Sequence, residues 1–314
     1  MGRRQKQINE QATAELPLMA VLRSKQPSPD PASALVKVDL AGLSHRGHVR
    51  SANQDHYFAA RIERSLETLI TNLAEGILPS SFEETAYGLL VADGMGGMAA
   101  GEVASSSALC KLVELVVNTP DWIMRLSERE DSVIVMERMT QRFRQVDDDL
   151  REQARQDPAL RGMGTTLTVA ISLGADLIIG HIGDSRAYLL RCARLHQLTR
   201  DHTMAQALID AGIANPQDAV TQAMSHVLTA ALGSTGEKSD PEVQRLHLRD
   251  GDQLLLCTDG LTGMVEDNVI ASTLRDAASA DAACGALIDL ALAGGGTDNV
   301  TAVLARYQFP PPTF

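Results

Sequence analysis

The chain has 314 residues, 44% of them hydrophobic and only 3% aromatic, and a formal net charge of −12. That length can close one large core or two small ones, and with so few rings the core must be built from Leu, Val, Ile, Ala and Met. The negative balance argues against general affinity for nucleic acid or anionic lipid, whose phosphates it would repel, but it leaves room for a phosphate held through a bound cation.

Residues 1–35 are polar and run into Pro27-Ser28-Pro29-Asp30-Pro31, the composition of a flexible tail. Arg3, Arg4 and Lys6 are not followed by an apolar stretch, so no signal peptide is expected; no run is long enough for a membrane helix, and a cytoplasmic protein is expected. One domain is expected over 36–307, with 308–314 as a C-terminal tail around Pro310-Pro311-Pro312. Short apolar runs ending near Gly or Asp predict strands at Tyr87–Ala92, Thr166–Leu173, Leu177–Ile182, Ala187–Arg191, Gln253–Cys257 and Asn299–Arg306. Helical spacing of apolar residues predicts helices over Val103–Val117, Asp131–Gln156, Glu266–Leu274 and Ala280–Leu292. In the second of these, Asp147, Asp148 and Asp149 read as a solvated face. Cys110, Cys192, Cys257 and Cys284 are scattered, mostly in apolar runs, which predicts buried free thiols rather than disulfides or zinc. Tight links between the runs at 166–191 favour antiparallel neighbours, hence helices covering sheets rather than a doubly wound parallel sheet.

The aspartates carry the chemistry. Asp93 ends Gly88-Leu89-Leu90-Val91-Ala92, Asp184 follows Ile178–Gly183, Asp259 ends Leu254-Leu255-Leu256-Cys257-Thr258, and Asp298 precedes the run from Val300. A single strand ending in Asp and Gly is an ordinary turn. Four such carboxylates converging at strand ends would repel one another, and hard divalent cations with oxygen ligands, Mg²⁺ or Mn²⁺, would remove that cost. Two ions close together bind a phosphate ester and lower the pKa of a water between them. Arg50, in Arg50-Ser51-Ala52-Asn53-Gln54-Asp55, offers a fork that matches phosphate.

Eight blocks in order resemble the metal-dependent PPM family, the type-2C serine/threonine protein phosphatases of bacterial style. They are Arg50–Asp55, Val91–Gly97, Gly164-Thr165-Thr166, Ile182–Arg186, Leu198–His202, Leu228–Gly233, Cys257–Leu261 and Gly296–Val300. The resemblance implies an α+β fold, a four-layer α-β-β-α sandwich with two mainly antiparallel sheets. It implies that Asp93 bridges two metal ions, that Asp259 and Asp298 complete the first site, and that the Gly94 carbonyl binds the second, helped by Gln54 and Asp55 through water. Arg50 would hold the substrate phosphate, and Asp184 would serve a third, weaker ion. The glycines Gly94, Gly96 and Gly97 would let backbone approach the ions. Three departures stand out. Gln54 replaces a common Glu and adds no charge. Met95 stands where some members carry a His proposed as general acid. Gly263 stands where many carry an Asp, which weakens the case for a third ion.

The implied activity is hydrolysis of phosphoserine and phosphothreonine in proteins, opposing a Ser/Thr kinase, with no nucleic-acid or membrane partner. The alternatives are a non-catalytic phosphoprotein-binding relative and a phosphatase of small molecules. Residues near 62–86 form an insertion whose Leu66, Leu69, Ile70 and Leu73 have helical spacing; the common fate of such a stripe is packing on the domain. His181 reads as a hydrogen-bonded core residue, His202 as structural near a flap over 198–235, and Arg186 as a structural pairing partner. His45 and His48 are too scattered from these for a transition-metal site. Asp201 reads as a flap residue with a smaller claim on the third ion, and Ser185 and Thr258 are poor nucleophile candidates.

Overall fold

The structure, a computed structural model, describes residues 33–311 apart from 75, 78–79, 98–99, 119–128, 216, 236–237 and 239. The expected tails lie outside the described residues up to residue 32 and from 312 onward. The strands in chain order are β1 (Lys37–His45), β2 (Asp55–Glu67), β3 (Ser81–Met95), β4 (Gly164–Thr165), β5 (Leu167–Leu173), β6 (Asp176–Ile182), β7 (Arg186–Arg191), β8 (Arg194–Gln197), β9 (Glu242–His247), β10 (Gln253–Cys257) and β11 (Val300–Gln308). The α-helices are α1 (Ala100–Val117), α2 (Arg129–Gln156), α3 (Met204–Asp210), α4 (Ala219–Met224), α5 (Asp259–Thr262), α6 (Asp267–Asp276) and α7 (Ala280–Ala293).

The strands form two sheets, ordered β1-β11-β10-β7-β8 and β2-β3-β5-β6-β9, with β4 paired to β3. The strand pairings are antiparallel. The central strands read as unbroken apolar runs because both of their faces are buried, and successive side chains alternate between two different cores. On β3, Leu89 and Val91 face the other sheet and pack in one cluster with Leu254, Leu256, Val303 and Ala305. Leu90 and Ala92 face the opposite way, toward α1 and the α2 stripe Met139, Phe143, Val146 and Leu150. On β10, Leu255 and Cys257 face α7, where Ala283, Cys284, Leu287 and Ile288 are buried. Three cores between four layers make the expected α-β-β-α sandwich.

Helix and central-strand expectations hold to within a few residues, but β3 extends from Tyr87 back to Ser81 and forward through Asp93 and Gly94. The stripe near 62–86 is not helical. The two ends of that segment, 62–67 and 81–86, continue β2 and β3 as a long hairpin, and Leu66, Leu69, Ile70 and Leu73 are exposed rather than packed on the domain. The Asp147–Asp149 run is not uniformly solvated. Asp147 is buried and accepts from Arg151 Nε at 2.8 Å and from the Gly233 amide at 2.8 Å, which pins α2 to the segment after residue 231. Cys257 and Cys284 are buried free thiols as expected, whereas Cys110 and Cys192 are exposed.

Candidate active site

Antiparallel pairing explains why distant aspartates meet. The start of β2 lies opposite the end of β3, so Asp55 and Asp93 are register partners. In the other sheet the end of β10 lies beside the start of β11, which brings Asp259, at the first turn of α5, near Asp298. Two threonines stitch the sheets together at this end. Thr258 Oγ1 and Thr301 Oγ1 donate to Asp55 Oδ2 at 2.8 and 2.7 Å. Asn299 organises the loop before β2: its Oδ1 accepts from the Gln54 amide at 2.8 Å, and its Nδ2 donates to the carbonyls of Arg46 and Ala52 at 2.8 and 2.9 Å. Asp93 is held by its backbone, whose amide donates to Thr166 Oγ1 and whose carbonyl accepts from Thr165 Oγ1, each at 2.9 Å.

Gly94 sits where no side chain fits, since a Cβ there would lie 2.0 Å from the Gly101 carbonyl oxygen and 2.8 Å from that of Gln54. The Gln54 amide group packs over Gly101 in the same corner, which puts Gln54 and the Gly94 backbone together. Gly96 has φ +135°, in the glycine-favouring region, whereas Gly97 faces open space and carries no such demand.

The electrostatics record the convergence. Burial, then the negative charges of Asp55, Asp259, Asp184 and Asp298, push the Asp93 carboxyl well above the usual range. Burial also raises Asp55 to about 7, against the pull of its two threonine donors, with Asp259 and Asp298 adding to the rise. Asp184 is raised to about 7 by burial first, then by Asp259 and Asp201. Such mutual repulsion over carboxylates requires that they share one region of low dielectric. Asp55 Oδ1 and Asp259 Oδ1 are buried and lack a hydrogen-bond partner. A buried acceptor left in this state is costly unless a cation or proton satisfies it.

Among the described residues no three His, Cys, Asp or Glu side chains close into a finished metal cage. The donor set nevertheless fits hard divalent cations: it is all oxygen, it carries surplus negative charge, and two of its oxygens have no other partner. Arg50 stands at the rim, its side chain 55% exposed, and Nη2 bonds Asp298 Oδ2 at 2.6 Å. That bond, followed by the charges of Asp298, Asp93 and Asp259, raises its pKa further despite partial burial. Asp184 lies on a side cavity of about 470 Å³ shared with Asp259, Asp201, Gly263 and His226. Arg186 binds Asp201 at 2.7 Å and the Tyr188 hydroxyl at 2.9 Å, so both residues are engaged structurally. His181 is buried against Thr168 and the Arg200 carbonyl, and His202 stacks on it at 5.0 Å while accepting from the Gly183 amide.

Sequence reasoning missed the supporting threonines Thr258 and Thr301, the loop organiser Asn299, and His226. The first three flank the aspartate runs, and that adjacency was the available signal. His226, whose Nδ1 is 3.7 Å from Asp259 Oδ2, had none.

A paired-sheet sandwich with carboxylates at one end of both sheets and an arginine on the rim matches a described protein class: the model of protein phosphatase 2C matches residues 79–291. The chain belongs to that family. It is 39% identical over 236 residues to the serine/threonine protein phosphatase PstP of Mycobacterium tuberculosis, a match covering 73% of this chain and 43% of that protein. The chain therefore spans less than half the length of that relative. It is 31% identical over 271 residues to the protein phosphatase PhpP of Streptococcus pneumoniae, covering 85% of this chain and 96% of the other. The solved catalytic domain of PstP in complex with two manganese ions superimposes with a TM-score of 0.68 at 34% identity, covering 87% of this chain and 99% of that one.

Proposed function

We propose that this chain is a metal-dependent protein phosphatase that hydrolyses phosphoserine and phosphothreonine, opposing a Ser/Thr kinase in the cytoplasm. The observation that carries the reading is the meeting of Asp55, Asp93 and Asp184, whose carboxyls are raised by burial and by the negative charges around them, with Asp259 and Asp298, and the orphaned oxygens on Asp55 and Asp259. Asp93, Asp259 and Asp298 would hold one Mn²⁺ or Mg²⁺ ion, and Asp93 with the Gly94 carbonyl a second, with Gln54 and Asp55 acting through water. When bound, such ions supply Lewis-acid activation of water and neutralise charge on the phosphoryl group.

The remaining steps belong to side chains of this chain. Arg50 spends one donor on Asp298 and keeps others for phosphate oxygens, so it orients the phosphoryl group at the rim. Thr258 and Thr301 lock one Asp55 oxygen and leave the other aimed at the cluster. Met95 carries a thioether that donates no proton, so the departing alkoxide takes its proton from water. Asp184 and Asp259 share the side cavity where a third, weaker ion would sit, and Gly263 adds no ligand there. The test is hydrolysis of a phosphothreonine peptide by purified protein. Turnover should require Mn²⁺ or Mg²⁺ and fall at least about a thousandfold in Asp93→Ala, an electrostatic loss of about 4 kcal/mol. Full activity in that variant refutes the site; tight metal binding without turnover marks the non-catalytic alternative.

A further inference from the structure

One groove of this acidic protein is lined by cations. It measures about 420 Å³ and lies at the C-terminal end of α2, where Arg151, Arg155 and Arg161 converge with Ser234 and Thr235. None of its lining residues is acidic. Arg151 and Arg155 are four apart on α2 and so share a face. Each gives one edge of its guanidinium to a carboxylate, Arg151 to Asp147 at 2.8 Å and Arg155 to Glu152 at 2.5 Å. A guanidinium has five N–H donors, so at the exposed Arg155 such a pair still leaves donors for another anion. The Arg161 side chain makes no ion pair or hydrogen bond with the described residues, and it is exposed at the turn that leads into β4.

Its place in the fold links this groove to the chemistry. Beyond Met163, β4 pairs on one side with the end of β3, Gly94 opposite Thr165. On its other side the Thr165 amide donates to the Leu232 carbonyl at 3.0 Å, and the Leu232 amide returns a bond to Thr165 at 2.9 Å. Gly233, which lines the groove, follows Leu232 and is clamped by Asp147. The groove therefore sits one short strand away from the Asp93–Gly94 segment. Neighbouring strands lie about 4.8 Å apart and an extended peptide advances about 3.3 Å per residue, so a chain leaving the phosphate site reaches such a distance within a few residues.

We propose that this arginine groove is a secondary anion subsite that engages an acidic group flanking the phosphoresidue of a polypeptide substrate, a carboxylate side chain or a second phosphoryl group. The proposal rests on the phosphatase reading and adds a substrate class to it: phosphoproteins whose target site lies in an acidic or multiply phosphorylated segment. Thr235 supplies a hydroxyl donor beside the guanidinium forks, a combination suited to oxyanions, whereas Ser234 Oγ already donates to the Ala231 carbonyl at 3.1 Å. Arg151 is a poor probe because it compensates the buried Asp147, but Arg155 and Arg161 can be removed without stranding a buried charge.

The experiment compares wild type with an Arg155→Ala/Arg161→Ala variant on four substrates at low and high salt. These are para-nitrophenyl phosphate, a phosphothreonine peptide with neutral flanks, the same peptide with Asp and Glu on both sides, and the same peptide carrying a second phosphoserine. Wild type should favour one or both anionic peptides over the neutral one by roughly fivefold or more in kcat/KM, chiefly through KM, with the preference shrinking at high salt. The two anionic peptides separate the carboxylate and phosphoryl sources. In the variant the preference should fall to unity while aryl phosphate turnover stays unchanged. Equal use of all three peptides by wild type, or an undiminished preference in the variant, overturns the subsite. If no substrate turns over, the phosphatase reading fails by itself. Fluorescence anisotropy of the labelled peptides with both proteins then decides the subsite: a wild-type preference lost in the variant supports it, and equal binding overturns it.

Discussion

Replacing Asp55 with Asn should stabilise the metal-free protein and weaken its response to metal. The carboxyl of Asp55 is pushed up to about 7 from an ordinary 3.8, chiefly by burial. A group with a raised carboxyl pKa favours the folded state when protonated, so its cost to stability grows as pH rises from about 4 to about 7 and is constant above that. At about 1.4 kcal/mol per pH decade, the charging cost at pH 8 approaches ~4 kcal/mol. Asn keeps an oxygen to accept from Thr258 and Thr301, and it places an N–H where Oδ1 lacks a partner among the neighbouring carboxylates. Metal-free Asp55→Asn should therefore exceed wild type by about 2–4 kcal/mol at pH 8, or roughly 4–10 °C in Tm, and the gain should shrink to about a third at pH 5. With metal at a hundred times its Kd, wild type should gain about 2.7 kcal/mol, and the variant should gain less. Scanning calorimetry with chelator and then with Mn²⁺, at both pH values, measures all four quantities. A metal-free variant that melts below wild type at pH 8 would refute the argument that repulsion is stored in this cluster.

Two further changes test the backbone around the site and away from it. Gly94→Ala would place its methyl 2.0 Å from the Gly101 carbonyl, backbone that cannot step aside, so about 2–3 kcal/mol of stability should be lost in urea unfolding along with the metal-induced Tm shift. The hairpin joining β7 to β8 turns through Cys192 and Ala193 at φ 49° and 61°, a two-residue turn that prefers Asn-Gly. Cys192→Asn with Ala193→Gly should raise stability by about 1 kcal/mol in the same assay and leave phosphatase activity unchanged.

The sequence alone determined the elements whose apolar pattern is continuous. The central strands β5, β6, β7, β10 and β11 and the helices α1, α2, α6 and α7 announce themselves because burial on one stripe or two faces leaves a periodic trace in the residues. It also marked Asp93, Asp184, Asp259 and Asp298, each beside an apolar run. The strands β1, β2, β8 and β9 were not among those runs, and they are the four edges of the two sheets. An edge strand has one free side and mixed exposure, as in β2, where exposed residues dominate its second half, so its pattern resembles a polar loop. The insertion stripe at Leu66–Leu73 had helical spacing, but Leu66 joins the pairing of β2 with β3 and Leu69, Ile70 and Leu73 lie exposed beyond the end of β2 with no helix around them. Asp147 looked solvated until a glycine amide 86 residues away was placed against it. The depth at which Asp55 is buried, and its capture by threonines from the opposite sheet, also follow from nothing local. Periodicity reports which face of an element is dry, whereas the partner of a polar group depends on which distant segment arrives beside it, and that is decided only when the two sheets close on each other.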